Sequence, residues 1–230
     1  MAAHFDAAFF DMDGLLLDTE RLARDAFQET FRSFGVPPDD ELFLLLIGGD
    51  ASDNSELLRN GLPDQIPYEQ FSRCWSDGYA RLVAEDVPVK AGVWAVLNEL
   101  SSLGLRLAVA TSTATPSAEN KLGRAGLRGF FETVIGGDQV ERGKPAPDIY
   151  LRAVEALGVA PGNCVAFEDS VRGVRAALAA GMTVVQVPDL VPPGAELRTL
   201  GHLVAGSLAE AIERVGLSDA LAPGKKGAAA

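Results

Sequence analysis

The sequence predicts an α/β fold in which helices cover both faces of a parallel β-sheet. From residue 88 onward, short apolar segments alternate with amphipathic helical patterns. Several apolar segments end directly in polar or charged residues. Between residues 15 and 87 the alternation stops and only helical patterns occur. Alternating strands and helices are typical of a parallel sheet, because each crossover helix packs on one of its faces.

The predicted strands are short and apolar, as expected for strands buried on both faces. The first strand, Ala7–Phe10, runs straight into the charged sequence DMDG. Four further strands and a weaker last one are predicted at Leu105–Ala110, Thr133–Ile135, Cys164–Phe167, Thr183–Val187 and His202–Ala205. In such sheets ligands bind beyond the carboxyl ends of the strands, so the residues after each strand are the candidates for function.

Three helices between these strands are predicted from apolar residues on one helical face. They cover Val93–Leu103, Ile149–Leu157 and Val171–Ala180, and a glycine follows each of them. This order predicts a Rossmann-like core formed by residues 1–14 and 88–221. Residues 15–87 contain helical stripes and no convincing strand, so we expect an inserted helical domain there. The low-complexity tail, residues 222–230, is expected to be flexible.

The charge balance excludes two classes of partner. The chain has 20 basic and 32 acidic residues and a net charge of −12. Such a surface repels nucleic acid and anionic membranes, and a phosphorylated substrate needs local positive charge to bind. No signal peptide is recognisable, and the two cysteines form no CxxC pair, so we expect a cytoplasmic protein with reduced thiols.

The first candidate functional cluster is Asp11 and Asp13 in the sequence DMDG, directly after the first strand. Two carboxylates this close repel each other, which points to a site with a compensating cation. The alternative is a turn in which aspartates accept backbone N–H bonds and Gly14 supplies an unusual φ angle.

Two further clusters supply groups that bind phosphate. Thr111, Ser112 and Thr113 follow the second core strand, and their hydroxyl and N–H groups suit phosphate oxygens. The alternative is an N-cap for the next helix. Lys144 stands between Gly143 and Pro145 in a stiff loop that suits the fixing of an ammonium group, although any single lysine is more often a surface residue.

The fourth cluster is Glu168 and Asp169, which follow a buried strand in the sequence FEDS. Hard carboxylate oxygens are the ligands that Mg²⁺ prefers, together with water and phosphate oxygens. The alternative is an N-cap formed by Asp169 or Ser170 for the helix that follows.

Taken together, the sequences DMDG, ATST, GKPAPD and FEDS resemble, in order, the four motifs of the haloacid dehalogenase-like hydrolase superfamily. The helical residues between the first two motifs resemble its helical-cap subclass, and residues 15–87 are called the cap below. This subclass includes sugar-phosphate phosphatases, nucleotide phosphatases and β-phosphoglucomutases. The resemblance covers the whole core and is weakest in the cap. It implies a phosphoric monoester hydrolase that acts on a small phosphorylated metabolite.

The resemblance also implies a role for each motif residue. Asp11 is the expected nucleophile that forms an aspartyl-phosphate, and Asp13 the expected general acid and base. Thr111, Ser112 and Lys144 are expected to hold the phosphoryl oxygens. The expected Mg²⁺ ligands are Asp11, the backbone carbonyl of Asp13, Asp169 and Glu168, directly or through water.

Two alternatives stay open, a β-phosphoglucomutase-like phosphomutase and a non-catalytic protein that binds a phosphometabolite. The mutase pattern has a cap arginine, a cap histidine and a Lys-Asn pair, where this chain has Ser52, Ala23, and Ala114 with Thr115. These departures favour hydrolysis. Substrate specificity is expected from the cap, around residues 50–57 and the helix that carries Glu20, Arg21 and Arg24. We expect a monomer or weak dimer.

Overall fold

The structure is a computed structural model that describes residues 5–47, 51–194 and 199–218, with residues 51–53 described through their backbone alone. His4, Asp50, the side chain of Ser52 and the tail from residue 222 therefore lie outside the described residues. The described strands form one parallel sheet with the order β3-β2-β1-β4-β5-β6. The strands are β1 Ala7–Phe10, β2 Arg106–Ala110, β3 Thr133–Ile135, β4 Cys164–Glu168, β5 Thr183–Gln186 and β6 Leu203–Val204.

Helices pack on both faces of this sheet, so the predicted α/β fold is confirmed. The cap carries α1 Thr19–Ser33, α2 Asp40–Leu46, α3 Ala51–Gly61 and α4 Tyr68–Glu85; the core carries α5 Val93–Ser102, α6 Thr115–Arg124, α7 Asp148–Leu157, α8 Val171–Ala179 and α9 Leu208–Arg214. The predicted strand positions agree with the observed ones to within one residue at each end, and β6 is shorter than predicted by one residue at both ends. One apolar cluster lies under each face of the sheet.

The register of the central strands brings the polar motifs to one edge. Phe10 of β1 pairs with Val109 of β2 on one side and with Phe167 of β4 on the other. The residues that follow these strands therefore emerge together at the carboxyl edge. The N–H of Asp11 donates to the Phe167 carbonyl at 3.0 Å, which fixes the turn after β1 against β4.

The cap helices enclose an apolar cluster of their own, separate from the two clusters of the sheet. Phe27 lies at its centre, with its ring centroid 4.9 Å from that of Phe31 and 5.0 Å from that of Trp75. The Trp75 indole N–H donates to the Ala23 carbonyl at 2.9 Å. Phe71 is fully buried in the same cluster, so Phe71 and Trp75 belong to the cap core, which their helical spacing also favours.

Two short connecting segments join the helical unit to the sheet. Leu17 and Val89 form an antiparallel bridge, and the Asp18 N–H donates to the Pro88 carbonyl at 2.8 Å. Leu15–Leu17 pack in the same apolar cluster as the sheet residues. If a residue is assigned to the unit it packs with, the helical unit begins near Thr19. This is four residues after residue 15, the boundary that the sequence suggests.

The remaining histidine and the cysteines take structural positions. Buried His202 places Nε2 at 3.0 Å from the Gln186 side-chain oxygen. Cys74 is exposed and Cys164 is buried, and neither forms a disulfide. Within the described part of the chain, no helix has both the length and the apolar character needed to cross a membrane.

Candidate active site

A cavity of about 540 Å³ lies between the carboxyl edge of the sheet and the cap. The core side of its wall carries residues from all four motifs, and the cap side carries Ala23, Asn54 and Tyr79. The core motif residues in the wall are Asp11, Asp13, Thr111, Ser112, Lys144 and Asp169. The fold therefore brings the predicted site residues to one place, with Glu168 directly behind them.

Lys144 is the centre of the buried part of the site. Its ammonium group lies 2.6 Å from Asp11 Oδ1, 2.6 Å from Glu168 Oε1 and 2.9 Å from the Ala110 carbonyl. The Tyr150 hydroxyl also donates to Glu168. Burial opposes the charge of Lys144, but the two carboxylates outweigh that effect and raise its pKa. Lys144 is therefore a fixed, buried cation and not a surface lysine.

Three carboxylates share this corner of the cavity. One oxygen each of Asp11, Glu168 and Asp169 can be chosen so that all lie within 4.8 Å of one another. Burial raises the pKa of Asp11 to about 7, although Lys144 offsets part of the effect. Burial, followed by the charges of Asp11 and Glu168, raises the pKa of Asp169 well above its usual value. Three carboxylates against one ammonium leave an excess of negative charge, and their hard oxygens fit a divalent cation.

Two glycines lie so close to the carboxylates that a side chain in their place would overlap them. A β-carbon on Gly14, whose φ angle is 82°, would overlap the Asp169 carboxylate. A β-carbon on Gly173 would overlap the Glu168 carboxylate. The glycines after DMD and in the sequence SVRG thus allow the backbone to approach the carboxylates closely.

Asp13 has surroundings unlike those of Asp11. Its Oδ1 accepts hydrogen bonds from Thr19 Oγ1 at 2.7 Å and from Lys121 Nζ at 2.8 Å. Its Oδ2 accepts from Thr113 Oγ1 at 2.6 Å. The two aspartates of the DMDG motif therefore have different donors, which two carboxylates need if they are to act in different charge states.

The hydroxyl cluster after β2 is not a helix cap. The N-cap position of α6 is Ala114, and no side chain makes a capping hydrogen bond there. Thr111 is buried, and its hydroxyl oxygen accepts from the Thr113 N–H at 3.1 Å. The N-cap alternative is therefore wrong for this cluster. It is right for Ser170, whose side chain accepts from the Gly173 N–H at the start of α8.

Sequence reasoning missed four residues that contact the predicted site residues or each other: Thr19, Tyr79, Lys121 and Tyr150. Lys121 of α6 is only 5% exposed and donates to the Tyr79 hydroxyl at 2.9 Å as well as to Asp13. Tyr79 shares the helical spacing of Phe71 and Trp75, which favours a place in the cap core, but its hydroxyl meets Lys121 at the cavity wall. The segment SAENKLGR gave no signal, since a lysine near the end of a polar helix is typically solvated.

The cap residues considered for specificity lie in different places. Glu20 lines the cavity, and burial, followed by the charges of Asp13 and Asp189, raises its pKa to about 7. Arg24 forms an ion pair with Asp40 at 2.7 Å and Arg21 forms one with Asp189 at 3.0 Å, so both act in structural contacts.

Comparisons with known proteins agree with this arrangement. The model of the haloacid dehalogenase-like hydrolase family matches residues 5–181. The chain is 36% identical to a phosphorylated carbohydrates phosphatase of Thermotoga maritima, over 77% of this chain and 82% of that protein. It is 37% identical to protein CbbY of Cereibacter sphaeroides, over 80% and 84% of the two chains.

A solved structure shows the same fold. It is a haloacid dehalogenase family hydrolase from Deinococcus radiodurans with bound phosphate and sodium. The two chains are 31% identical, the TM-score is 0.81, and the match covers 94% of this chain and 99% of that one. The predicted fold, superfamily and enzyme class are confirmed. The chain is a phosphoric monoester hydrolase and belongs to the haloacid dehalogenase-like hydrolase family.

Proposed function

We propose that this enzyme is a Mg²⁺-dependent phosphatase that hydrolyses a small phosphorylated carbohydrate through an aspartyl-phosphate on Asp11. The observation that carries the proposal is the buried group of Asp11, Lys144 and Asp169 at the carboxyl edge of the sheet. The substrate class rests on the similarity to a phosphatase of phosphorylated carbohydrates.

Asp11 is the proposed nucleophile because it lines the cavity directly after β1 and is held by Lys144 at 2.6 Å. A carboxylate oxygen of Asp11 attacks phosphorus, and the bond from phosphorus to the leaving oxygen breaks. The ammonium group of Lys144 remains beside the reacting atoms and favours the charged form of Asp11.

The carboxylates of Asp11, Asp169 and Glu168 and the backbone carbonyl of Asp13 would hold the Mg²⁺ ion. When bound, the ion supplies positive charge against the phosphoryl oxygens and the crowded carboxylates. Glu168 already accepts hydrogen bonds from Lys144 and Tyr150, so its first task is to fix the lysine. Thr111, Ser112 and Lys144 would hold the phosphoryl oxygens.

Asp13 is the proposed acid and base. It gives a proton to the leaving oxygen in the first step, and in the second step it takes a proton from the water that attacks the aspartyl-phosphate. Its carboxylate lines the same cavity as Asp11 and has its own set of donors from Thr19, Thr113 and Lys121.

The charges around the cavity favour a substrate with a single phosphate. The basic groups among its described lining residues, Lys121, Lys144 and Arg172, already have protein acceptors. A second phosphate group would face acids and lack a cation of its own. The positions that would grip it in a mutase give no help: Ala23 carries no charge, and Thr115 binds Asp138 at 2.7 Å.

The central test measures phosphate release from p-nitrophenyl phosphate and from a panel of phosphorylated sugars, with Mg²⁺ and with EDTA. We expect release only with Mg²⁺, and a loss of at least about 10³-fold in kcat for the Asp11→Asn variant with an unchanged circular dichroism spectrum. A variant that keeps the wild-type rate would contradict the role of Asp11. Tight binding of a sugar phosphate without turnover would instead support the non-catalytic alternative.

A second test separates hydrolysis from phosphoryl migration. The enzyme is incubated with β-glucose 1-phosphate and a trace of the bisphosphate, and both products are measured. We expect free phosphate and glucose. If glucose 6-phosphate forms in excess of free phosphate, the enzyme is a mutase and the proposed phosphatase activity is wrong. The cytoplasmic location, the division into domains and the monomer or weak dimer stay predictions.

A further inference from the structure

Lys121 is a buried cation of the cavity that none of the motif roles uses. It sits on the core helix α6, and its ammonium group lies 2.8 Å from Asp13 Oδ1 and 2.9 Å from the Tyr79 hydroxyl. The ammonium also lies 5.4 Å from the centre of the Tyr79 ring. In the part of the chain that the structure describes, Asp13 is the one acid with which Lys121 forms an ion pair. A charge buried this deeply needs its partner, so the pair forms a unit.

Three donors hold Asp13, and they differ in kind. Thr19 and Thr113 supply neutral hydroxyl groups from the start of α1 and from the loop after β2. Lys121 supplies a full positive charge, and it alone of the three also contacts α4 of the cap, through Tyr79. An ammonium donor adds the attraction between opposite charges to its hydrogen bond, which a hydroxyl donor lacks, so Lys121 is the strongest of the three donors to Asp13.

We propose that Lys121 is a positioning residue that fixes the orientation of the Asp13 side chain for the second half of the reaction. The inference rests on the proposed function. In that half-reaction a water oxygen bonds to phosphorus, the bond from phosphorus to the Asp11 oxygen breaks, and the water proton passes to Asp13. The step needs a base at a fixed place beside the attacking water, and the 2.8 Å hydrogen bond from Lys121 fixes the place of the Asp13 side chain.

The first half-reaction depends on Lys121 much less when the leaving group is p-nitrophenolate, because this anion departs without a proton. The constant kcat/KM then reports the transfer of the phosphoryl group to Asp11, whereas kcat includes the attack of water. Loss of Lys121 should therefore lower kcat and KM together and leave kcat/KM unchanged.

The experiment measures steady-state and rapid-mixing kinetics of the Lys121→Met variant with p-nitrophenyl phosphate and Mg²⁺. Methionine keeps the length of the side chain and removes its charge. We expect kcat to fall by at least about tenfold, as general base catalysis contributes ~10²–10⁴-fold in enzymes. We also expect KM to fall by the same factor, and a burst of p-nitrophenolate equal to the enzyme concentration. The aspartyl-phosphate should accumulate to a level detectable by mass spectrometry.

The matched control is Arg124→Met, which removes a cation from the next turn of the same helix. Arg124 donates to the carbonyl of Ala84, near the end of cap helix α4, and not to Asp13. Wild-type kinetics are therefore expected. An unchanged kcat in Lys121→Met, or an equal fall in kcat and kcat/KM without a burst, would overturn the proposal. If Arg124→Met also lowers kcat at unchanged kcat/KM, altered docking of the cap explains the effect and the proposal is wrong.

Tyr79→Phe carries the test if Lys121→Met does not fold. It keeps the ring beside the ammonium group and removes the hydroxyl that Lys121 donates to. We expect a fall in kcat of about threefold at unchanged kcat/KM, the size of a weakened neutral hydrogen bond. No change in kcat overturns the proposal. A wild-type enzyme that releases no p-nitrophenolate, or an active Asp11→Asn variant, would instead refute the proposed function itself.

Discussion

The site contains two buried lysine–carboxylate pairs that differ in how they are held. Lys144 binds Asp11 and Glu168 within the core, and a core helix, α7, supplies the Tyr150 hydroxyl behind them. Lys121 binds Asp13 in the wall of the same cavity and makes its other hydrogen bond to Tyr79 of the cap. One pair is complete without the cap, and the other is completed by it.

This difference separates the two tasks of the proposed reaction. With p-nitrophenyl phosphate, whose leaving group departs without a proton, formation of the aspartyl-phosphate uses groups that the sheet edge alone fixes. It then needs little from the cap beyond substrate binding. Hydrolysis of that intermediate uses Asp13, whose charged donor also contacts a cap helix. The comparison predicts that core variants change both halves of the reaction, whereas variants around Lys121 change the second half.

Replacing Lys144 by methionine should give the largest effect. The change leaves Asp11 and Glu168 buried without their ammonium group, which typically costs about 3–5 kcal/mol of stability. It also removes positive charge from the transferring phosphoryl group, so kcat/KM for p-nitrophenyl phosphate should fall by at least about 10²-fold. Urea unfolding and steady-state kinetics measure the two effects.

The kinetics of Lys144→Met and Lys121→Met together test whether the two lysines serve different steps. A Lys144→Met variant that keeps its kcat/KM and loses only kcat would show that the two lysines serve the same step. Removal of Lys144 should lower kcat/KM with no burst, since transfer to Asp11 becomes slow.

Gly173→Ala tests the packing behind Lys144 without a change of charge. A β-carbon there would overlap the Glu168 carboxylate, which is fully buried and has nowhere to move. Overpacking of this kind costs about 1–3 kcal/mol, and displacement of Glu168 should lower kcat/KM as well. Gly162→Ala is the control, because a β-carbon at Gly162 meets nothing within 4 Å. Equal stability of the two variants in urea would contradict the predicted rigidity of this corner.

The buried carboxylates of Asp11, Glu168 and Asp169 should make the increase in folding stability on Mg²⁺ binding depend on pH. Burial raises the pKa of Asp11 from 3.8 to about 7, so the metal-free folded protein holds a proton that the unfolded chain loses. The contribution of Asp11 to the folding stability is thus favourable at low pH, and it is lost as the pH rises from about 4 to about 7. A divalent cation binds the deprotonated carboxylates and offsets this loss.

Thermal unfolding with Mg²⁺ and with EDTA measures this linkage. We expect Mg²⁺ to raise Tm by several degrees at pH 8 and by much less at pH 5, since saturation at about 100 times Kd contributes about 2.7 kcal/mol. The Asp169→Asn variant is the matched control, and its Tm should respond weakly at both pH values. An equal gain at pH 5 and pH 8 in the wild type would show that the carboxylates are not the binding groups.

The sequence predicted the core pair, but of the cap-linked pair it predicted only Asp13, and the reason is physical. Asp11, Lys144 and Glu168 directly follow strands or stand between Gly143 and Pro145, so local sequence marks them. The strands themselves were recognisable because their residues are buried on both faces and apolar throughout.

Lys121 carries no such mark. Its position depends on how α4 of the cap packs over α6 of the core, which is a tertiary contact between segments 42 residues apart. Tyr79 shares a helical spacing with Phe71 and Trp75, and periodicity alone cannot separate a core residue from one at the cavity wall. The packing of Leu15–Leu17 with the sheet was hidden for the same reason, since an apolar run fits either unit.

The smallest expected effect comes from Trp75→Phe, a substitution one helical turn from Tyr79 on α4. Trp75 packs against Phe27 and donates to the Ala23 carbonyl inside the cap, whereas the Tyr79 hydroxyl accepts from Lys121 of the core. The variant should lose about 1 kcal/mol of stability through the missing hydrogen bond and keep both kcat and kcat/KM. Tyr79→Phe should also lose about 1 kcal/mol, because the buried ammonium group of Lys121 loses an acceptor, but it should lower kcat as well. If Trp75→Phe lowers kcat as much as Tyr79→Phe does, general loosening of the cap explains both. The specific contact between the cap and Lys121 would then have no separate role.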